Sequence, residues 1–201
     1  LTFRHEGGGT LRISTFIGGP SLPLPSAKYR RVIDAMAGLV ALPSWEYRGE
    51  TFLPGEWWEG LILAESAGNP SATRYEPHQD RIPDGDAPLQ DDGRHEDDKS
   101  YGLVQLMGYN ARTLCGVPAG TRMDFQWLLL PLVNLALGLR LLVGELAATE
   151  GDVPRALSRY NGGPTGTSLV PGPDGSLVMR RQEYVDRVAQ HARAVVRDRA
   201  A

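Results

Sequence analysis

The chain has 201 residues, 41% of them apolar, and a formal net charge of −3. That length and apolar share support one domain with a real core and a small extension. The missing basic surplus argues against a nucleic-acid partner, and a single cysteine, Cys115, excludes an intrachain disulfide.

Residues 1–26 are broken by Gly7-Gly8-Gly9, Gly18-Gly19-Pro20 and further prolines, and read as loops around a short strand at Leu11–Phe16. Position 1 is not Met and reads as a cut point, with any export signal or further domain lying outside this stretch. From Lys28 to Leu42 the spacing predicts a helix with Val32, Ile33, Met36, Leu39 and Val40 on one face, ended by Pro43. Residues 44–54 read as a connector. Glu56–Ser66 is the next predicted helix, stopped by Gly68-Asn69-Pro70. Trp57 and Trp58, near its start, read as core residues rather than sugar-stacking platforms.

Residues 74–99 form a predicted acidic surface loop, long enough to be either functional or disordered. His78, His95 and the clustered aspartates there lack the Asp/Asn and Gly order of a calcium loop, so no metal is expected. A short apolar run follows at Gly102–Met107, then a helical turn at Asn110–Leu114 and a short helix or turn at Phe125–Leu129. Cys115 reads as a small buried hydrophobe. The apolar stretch Leu128–Val143 is interrupted by Pro131, Asn134 and Arg140 and falls short of the ~20 residues a bilayer span needs. It therefore reads as a buried helix from Pro131 to Thr149. Asp152 is placed to cap a helix from Val153 to Tyr160. Leu169–Val170 and Leu177–Val178 flank Pro-Gly-Pro-Asp-Gly as a hairpin. Gln182–Arg197 closes as a helix with Tyr184, Val185, Val188, Ala192 and Val195 inward.

Glu65 stands out in this pattern. It lies in the last turn of its helix, where the negative end of the dipole gives a carboxylate no support. Partial burial among Leu61 and Ile62 would raise its pKa and favour the protonated acid.

Four separated patches carry chemistry together: Glu65-Ser66-Ala67-Gly68-Asn69-Pro70, Ser100-Tyr101-Gly102-Leu103-Val104-Gln105-Leu106-Met107, Asn134-Leu135-Ala136-Leu137-Gly138, and Ala156-Leu157-Ser158-Arg159-Tyr160-Asn161-Gly162-Gly163. In order and type they resemble the soluble lytic transglycosylase family, and Tyr184-Val185 falls where that family carries a Tyr-Val pair. The resemblance spans residues 56–195, and Tyr75-Glu76-Pro77 is similar to the phage-derived branch. Val104 stands where the family has Met, Arg74 where it has a small hydroxyl residue, and Glu65 and Gln105 lie 40 positions apart because of the acidic loop.

The resemblance implies a mainly α, goose-type-lysozyme-like domain over residues 51–201, with a small hairpin or loop-rich accessory part and residues 1–50 as a loop-rich extension bearing one helix. It implies cleavage of the β-1,4 bond between N-acetylmuramic acid and N-acetylglucosamine, with Glu65 as the acid and no cofactor or metal. Glycosidases commonly use two carboxylates. The family resembled here uses one, and the substrate's N-acetyl group and 6-hydroxyl complete the reaction, leaving a 1,6-anhydromuramyl end. Gln105, Met107, Tyr160, Asn161, Ser100 and Tyr101 are implied substrate contacts, with Gln105, Tyr160 and Asn161 also offered as hydrogen-bond partners of Glu65. The implied partner is the peptidoglycan strand, in the cell envelope or periplasm, outside the cell, or on a virion. Two alternatives stand beside this: a hydrolytic muramidase in which Asp97 or Asp98 holds a water, and a non-catalytic docking module of a virion or secretion apparatus.

Overall fold

A computed structural model describes the backbone of residues 2–4 and 10–12, and residues 23–76, 96–118, 121, 123–172 and 176–201. The chain is mainly α, with small antiparallel sheets. In order, the elements are β1 (Thr2–Arg4) paired with β2 (Thr10–Arg12), α1 (Arg30–Leu39), the hairpin β3 (Trp45–Tyr47) and β4 (Glu50–Phe52), α2 (Pro54–Ser66), β5 (Thr73–Tyr75), β6 (Lys99–Tyr101), β7 (Leu106–Met107), α3 (Gly108–Leu114), α4 (Pro131–Ala148), α5 (Val153–Gly162), the hairpin β8 (Leu169–Pro171) and β9 (Leu177–Met179), and α6 (Gln182–Ala200). Single 3-10 turns precede α1, β6 and α4, and another follows α5.

Helix α2 is the hub. Pro54 opens it at a position where the missing N–H costs nothing, and the Leu53 N–H donates to the Glu56 carboxylate at 2.6 Å. Trp57, Trp58, Leu61 and Ile62 are fully buried and give α2 a broad apolar face. Both tryptophans are core residues, as the sequence predicts, and the Trp57 indole donates to the Pro43 carbonyl at 2.9 Å. Helix α6 runs antiparallel to α2: Arg199 bonds Glu59 near the start of α2, and Tyr184 bonds Glu65 near its end. Gly60 permits the close crossing, since a Cβ there would lie 2.8 Å from the Ala192 nitrogen and 2.9 Å from the Val188 carbonyl oxygen.

Helix α1 and hairpin β3–β4 belong to the same core. Ile33, Ala37, Trp45 and Phe52 are buried with the residues of α2 and α6. Glu59, fully buried on α2, gathers Ser26 Oγ at 2.7 Å, Arg30 Nε at 3.0 Å and Arg199 Nη2 at 3.0 Å. A buried carboxylate needs such partners, and these tie residues 26–30 and the end of α6 to α2. The core therefore includes residues on both sides of position 50. On α1 the predicted apolar face holds at Ile33, buried, and at Val32 and Met36, partly buried against the core, with Ala37 buried beside them; Leu39 is 85% exposed and Val40 40%, because the helix ends at Leu39 and its last turn clears the core.

Residues 44–54 hold a hairpin where a connector was expected. Three-residue strands joined by Arg48-Gly49, both at positive φ, leave too short an alternation to read as strands. The strand expected at Leu11–Phe16 is present as β2 over its first two positions, and residues 13–16 lie outside the described residues. The ends of the acidic loop are strands β5 and β6, paired Thr73 with Tyr101; residues 77–95, including His78 and His95, lie outside the described residues. Cys115 is exposed rather than buried, because it follows the last turn of α3.

Among the described residues one helix, α4, is long and apolar enough to cross a membrane. One face of it, Asn134, Leu135, Gly138, Leu139, Leu142 and Leu146, is buried within this protein, in keeping with the expected core helix. The carboxylate of Asp152 accepts from the Arg155 N–H at 2.9 Å and caps α5 as its position predicts, and hairpin β8–β9 forms with Val170 opposite Val178.

Candidate active site

The site is assembled around the end of α2. Ala67, in the left-handed region at φ 53°, terminates the helix. Gly68 follows at φ 79°, packed so closely on residues 25 and 26 that a Cβ would lie 3.0 Å from the Ser26 nitrogen. The Ser66 hydroxyl is 2.8 Å from the Leu103 carbonyl oxygen, to which it donates, and accepts from the Gly68 N–H at 3.2 Å. Ser66 thus anchors the helix end to the turn between β6 and β7.

That turn, residues 102–105, is itself held by α4. Asn134, fully buried, donates to the Tyr101 carbonyl at 2.8 Å and accepts from the Val104 N–H at 2.9 Å. One helical turn on, Gly138 leaves room for Val104, whose Cγ2 would lie 2.3 Å from a Cβ at 138. Gly102 at φ 73° and Gln105 at φ 46° complete the tight bend. The Asn-x-x-x-Gly spacing is therefore a clamp on the Gly-Leu-Val-Gln turn, which explains why the two patches occur together.

The result is a cleft of about 280 Å³ between β5–β7 and α4–α5. Glu65, Ser100, Gln105, Met107, Tyr160 and Asn161 all line it, along with Arg74, Glu76, Glu145 and Arg159. Six of the seven candidate residues are brought together. Tyr101 is not among the lining residues: it is buried, its ring 5.9 Å from that of Phe125 and its hydroxyl bonded to Glu96. Alternation along β6 turns Ser100 to the cleft and Tyr101 to the core.

Glu65 keeps some exposed surface, but its carboxyl is enclosed by protein, and burial pushes its pKa up. A hydrogen bond from Tyr184 and the charges of Arg74 and Arg187 pull it back, while Glu76 adds to the rise. The Tyr184 hydroxyl donates to Glu65 Oε1 at 2.5 Å. Burial, then the Glu65 charge, holds the phenols of Tyr160 and Tyr184 well above their ordinary value, so both remain donors.

The expected partners of Glu65 need correction. Tyr160 donates to the Val104 carbonyl at 2.8 Å. The Gln105 amide nitrogen donates to the carbonyls of Ala72 at 3.1 Å and Gly102 at 3.0 Å, and its oxygen accepts from Ser100 Oγ at 2.8 Å. Gln105 is thus a satisfied amide that also borders the cleft, and Tyr184 takes the role proposed for it. The helical period turns Tyr184 inward and it belongs to the Tyr-Val pair, but no spacing rule links residue 184 to residue 65. Asp97 is buried in a bidentate pair with Arg112, at 2.9 and 2.7 Å, and neither it nor Asp98 lines the cleft. Besides Glu65, the carboxylates that do are Glu76 and Glu145, paired with Arg74 and, at 2.5 Å, with Arg159. Among the described residues no group of three His, Cys, Asp or Glu side chains is arranged to hold a metal ion.

No protein-family model matches the chain, and no curated protein and no solved structure matches it either.

Proposed function

We propose that the chain is a lysozyme-like peptidoglycan lytic transglycosylase and that Glu65 is its acid and base. The observation that carries this reading is the Glu65 carboxyl, raised in pKa by burial at the edge of a cleft and held by the Tyr184 hydroxyl. A carboxyl whose pKa is raised holds its proton to higher pH than an ordinary carboxyl and can deliver it to the glycosidic oxygen as the C1–O4 bond breaks. The resulting carboxylate then takes the proton from the 6-hydroxyl as O6 bonds to C1. The proton count closes without water, and the product carries a 1,6-anhydro ring. Met107 and Leu106 give the cleft an apolar side, and Asn161 and Ser100 give it hydrogen-bonding groups, a mixture suited to N-acetylated sugars.

The hydrolytic alternative rests on Glu76 and Glu145 as the second carboxylate, since Asp97 is committed to Arg112. Mass analysis of fragments released from purified sacculi decides between them: anhydro ends support the transglycosylase, and reducing ends the hydrolase. Glu65→Gln should fold normally and lose about 10²–10⁴-fold in rate, the usual contribution of a general acid. Equal rates for the two proteins would overturn the mechanism, and no release by the unaltered chain would leave a docking module.

A further inference from the structure

Two arginines border the cleft, and each is tethered to a glutamate through Nε alone: Arg74 to Glu76 and Arg159 to Glu145. They differ in setting. The Arg74 side chain is 59% exposed and its charge acts on Glu65. Arg159 is 22% exposed, its partner Glu145 is 17% exposed, and the charges acting on Glu65 come chiefly from Arg74, Arg187 and Glu76 rather than from Arg159. Arg159 therefore sits in the cleft as an oriented, largely buried cation. Among the described residues its two terminal nitrogens make no hydrogen bond. A guanidinium fixed at Nε with its outer nitrogens available is pre-organised for a planar, two-point acceptor, and a carboxylate is the fitting one.

We infer that Arg159, oriented by Glu145, is a carboxylate-binding position that lets the cleft distinguish acidic glycan strands from neutral ones. This rests on the proposed peptidoglycan substrate. Such strands offer carboxylates from two sources: the lactyl group of a peptide-free muramic acid and the acidic residues of a peptide stem. Chitin oligomers share the N-acetylated backbone and carry neither. Neighbouring groups in the cleft suit the neutral part of the ligand, with Met107 and Leu141 apolar and Asn161 able to bond an acetamido group.

The test uses the full chain carrying Glu65→Gln, so that ligands bind without being cut. Binding is measured by calorimetry for three tetrasaccharides: peptide-free with lactyl carboxylates, the same backbone with peptide stems, and chitotetraose. The expected result is that at least one acidic ligand binds about tenfold or more tightly than chitotetraose, the effect of one charge-assisted bidentate contact. Preference confined to the peptide-free strand identifies the lactyl group, and preference confined to the stem-bearing strand identifies the peptide. Adding Arg159→Gln should remove the preference and leave chitotetraose binding unchanged. Arg159→Lys keeps a cation beside Glu145 but lacks the fork, so a wild-type melting curve with a reduced preference separates recognition from folding.

Equal weakening of all three ligands by Arg159→Gln, no weakening of any, or no binding of the acidic strands would overturn the inference. The two readings fail separately. If the chain with Glu65 intact cuts sacculi and Arg159→Gln cuts them equally well, the subsite is wrong and the enzyme stands. If nothing is cut yet acidic strands bind through Arg159, the enzyme is wrong and the subsite stands.

Discussion

The Tyr184 hydroxyl donates to Glu65 Oε1 across 2.5 Å, joining residues 119 positions apart in the chain. The bond exists because α2 and α6 lie antiparallel and close at Gly60, so the start of one helix meets the end of the other. A hydrogen bond to the charged form of a carboxyl favours that form. Tyr184 therefore opposes the desolvation that raises the Glu65 pKa, and in the proposed reaction it keeps the carboxyl able to lose its proton as well as hold it.

Replacing Tyr184 with Phe removes that donor and little else. The Glu65 pKa should rise further, and the carboxyl should lose one of the contacts that orient it. Cleavage of sacculi should slow between about ten- and a hundredfold, the equivalent of one hydrogen bond to a charged group. The alkaline limb of the kcat/KM profile should move to higher pH, because the protonated acid survives longer. A slower enzyme with an unmoved limb would mean that Tyr184 acts on packing alone.

Arg74 and Glu76 offer a test by sign. Arg74 lowers the Glu65 pKa and Glu76 raises it. Arg74→Ala should therefore move the alkaline limb up and Glu76→Gln should move it down, the latter also because it releases Arg74 from its ion pair. Both side chains lie at the cleft rather than in the core, so stability should change by less than about 1 kcal/mol. Limbs shifting the same way in both variants would show that these charges do not act on the group that limits the rate.

Stability carries the same electrostatics in a second readout. Burial holds the folded-state pKa of Glu65 above its ordinary value of 4.5. As pH rises past 4.5 the unfolded chain releases this proton before the folded chain does, so the folded state loses stability across the window up to the raised value. Gln has no proton to lose. Thermal denaturation should therefore show Glu65→Gln gaining stability over the unaltered chain from about pH 4.5 upward, with the two converging below it. A difference independent of pH would place the carboxyl in solvent.

Much of this site was legible in the sequence, and the reasons are physical. Helices α2, α4, α5 and α6 follow the apolar period of their residues and the signals at Asp152, Pro131 and Gly68. The association of Glu65, Gln105, Tyr160 and Asn161 was visible in the order of motifs. What the sequence hid is what depends on three-dimensional register. Strands of two or three residues such as β3, β4 and β7 are too short to show alternation. The Tyr184 bond to Glu65 depends on how two helices cross. Tyr101 and Ser100 are neighbours with equal claims in the sequence, and only the pairing of β6 between β5 and β7 assigns one to the core and one to the cleft.

One substitution made at two glycines should have opposite effects. Gly144 lies in α4 with open space where a Cβ would stand. Gly144→Ala should stabilise the chain by about 0.5–1 kcal/mol, because alanine loses less backbone entropy in a helix. Gly60 lies in α2, and a Cβ there meets the α6 backbone at 2.8 Å. No side-chain rotation can relieve that contact, so Gly60→Ala must push the two helices apart at a cost of about 1–3 kcal/mol. The separation should also draw Tyr184 from Glu65. Gly60→Ala should then lose activity at temperatures where circular dichroism shows it fully folded, by an amount approaching that of Tyr184→Phe. If the melting temperature falls but the folded variant works at the normal rate, the crossing at Gly60 holds the fold together without setting the position of the acid.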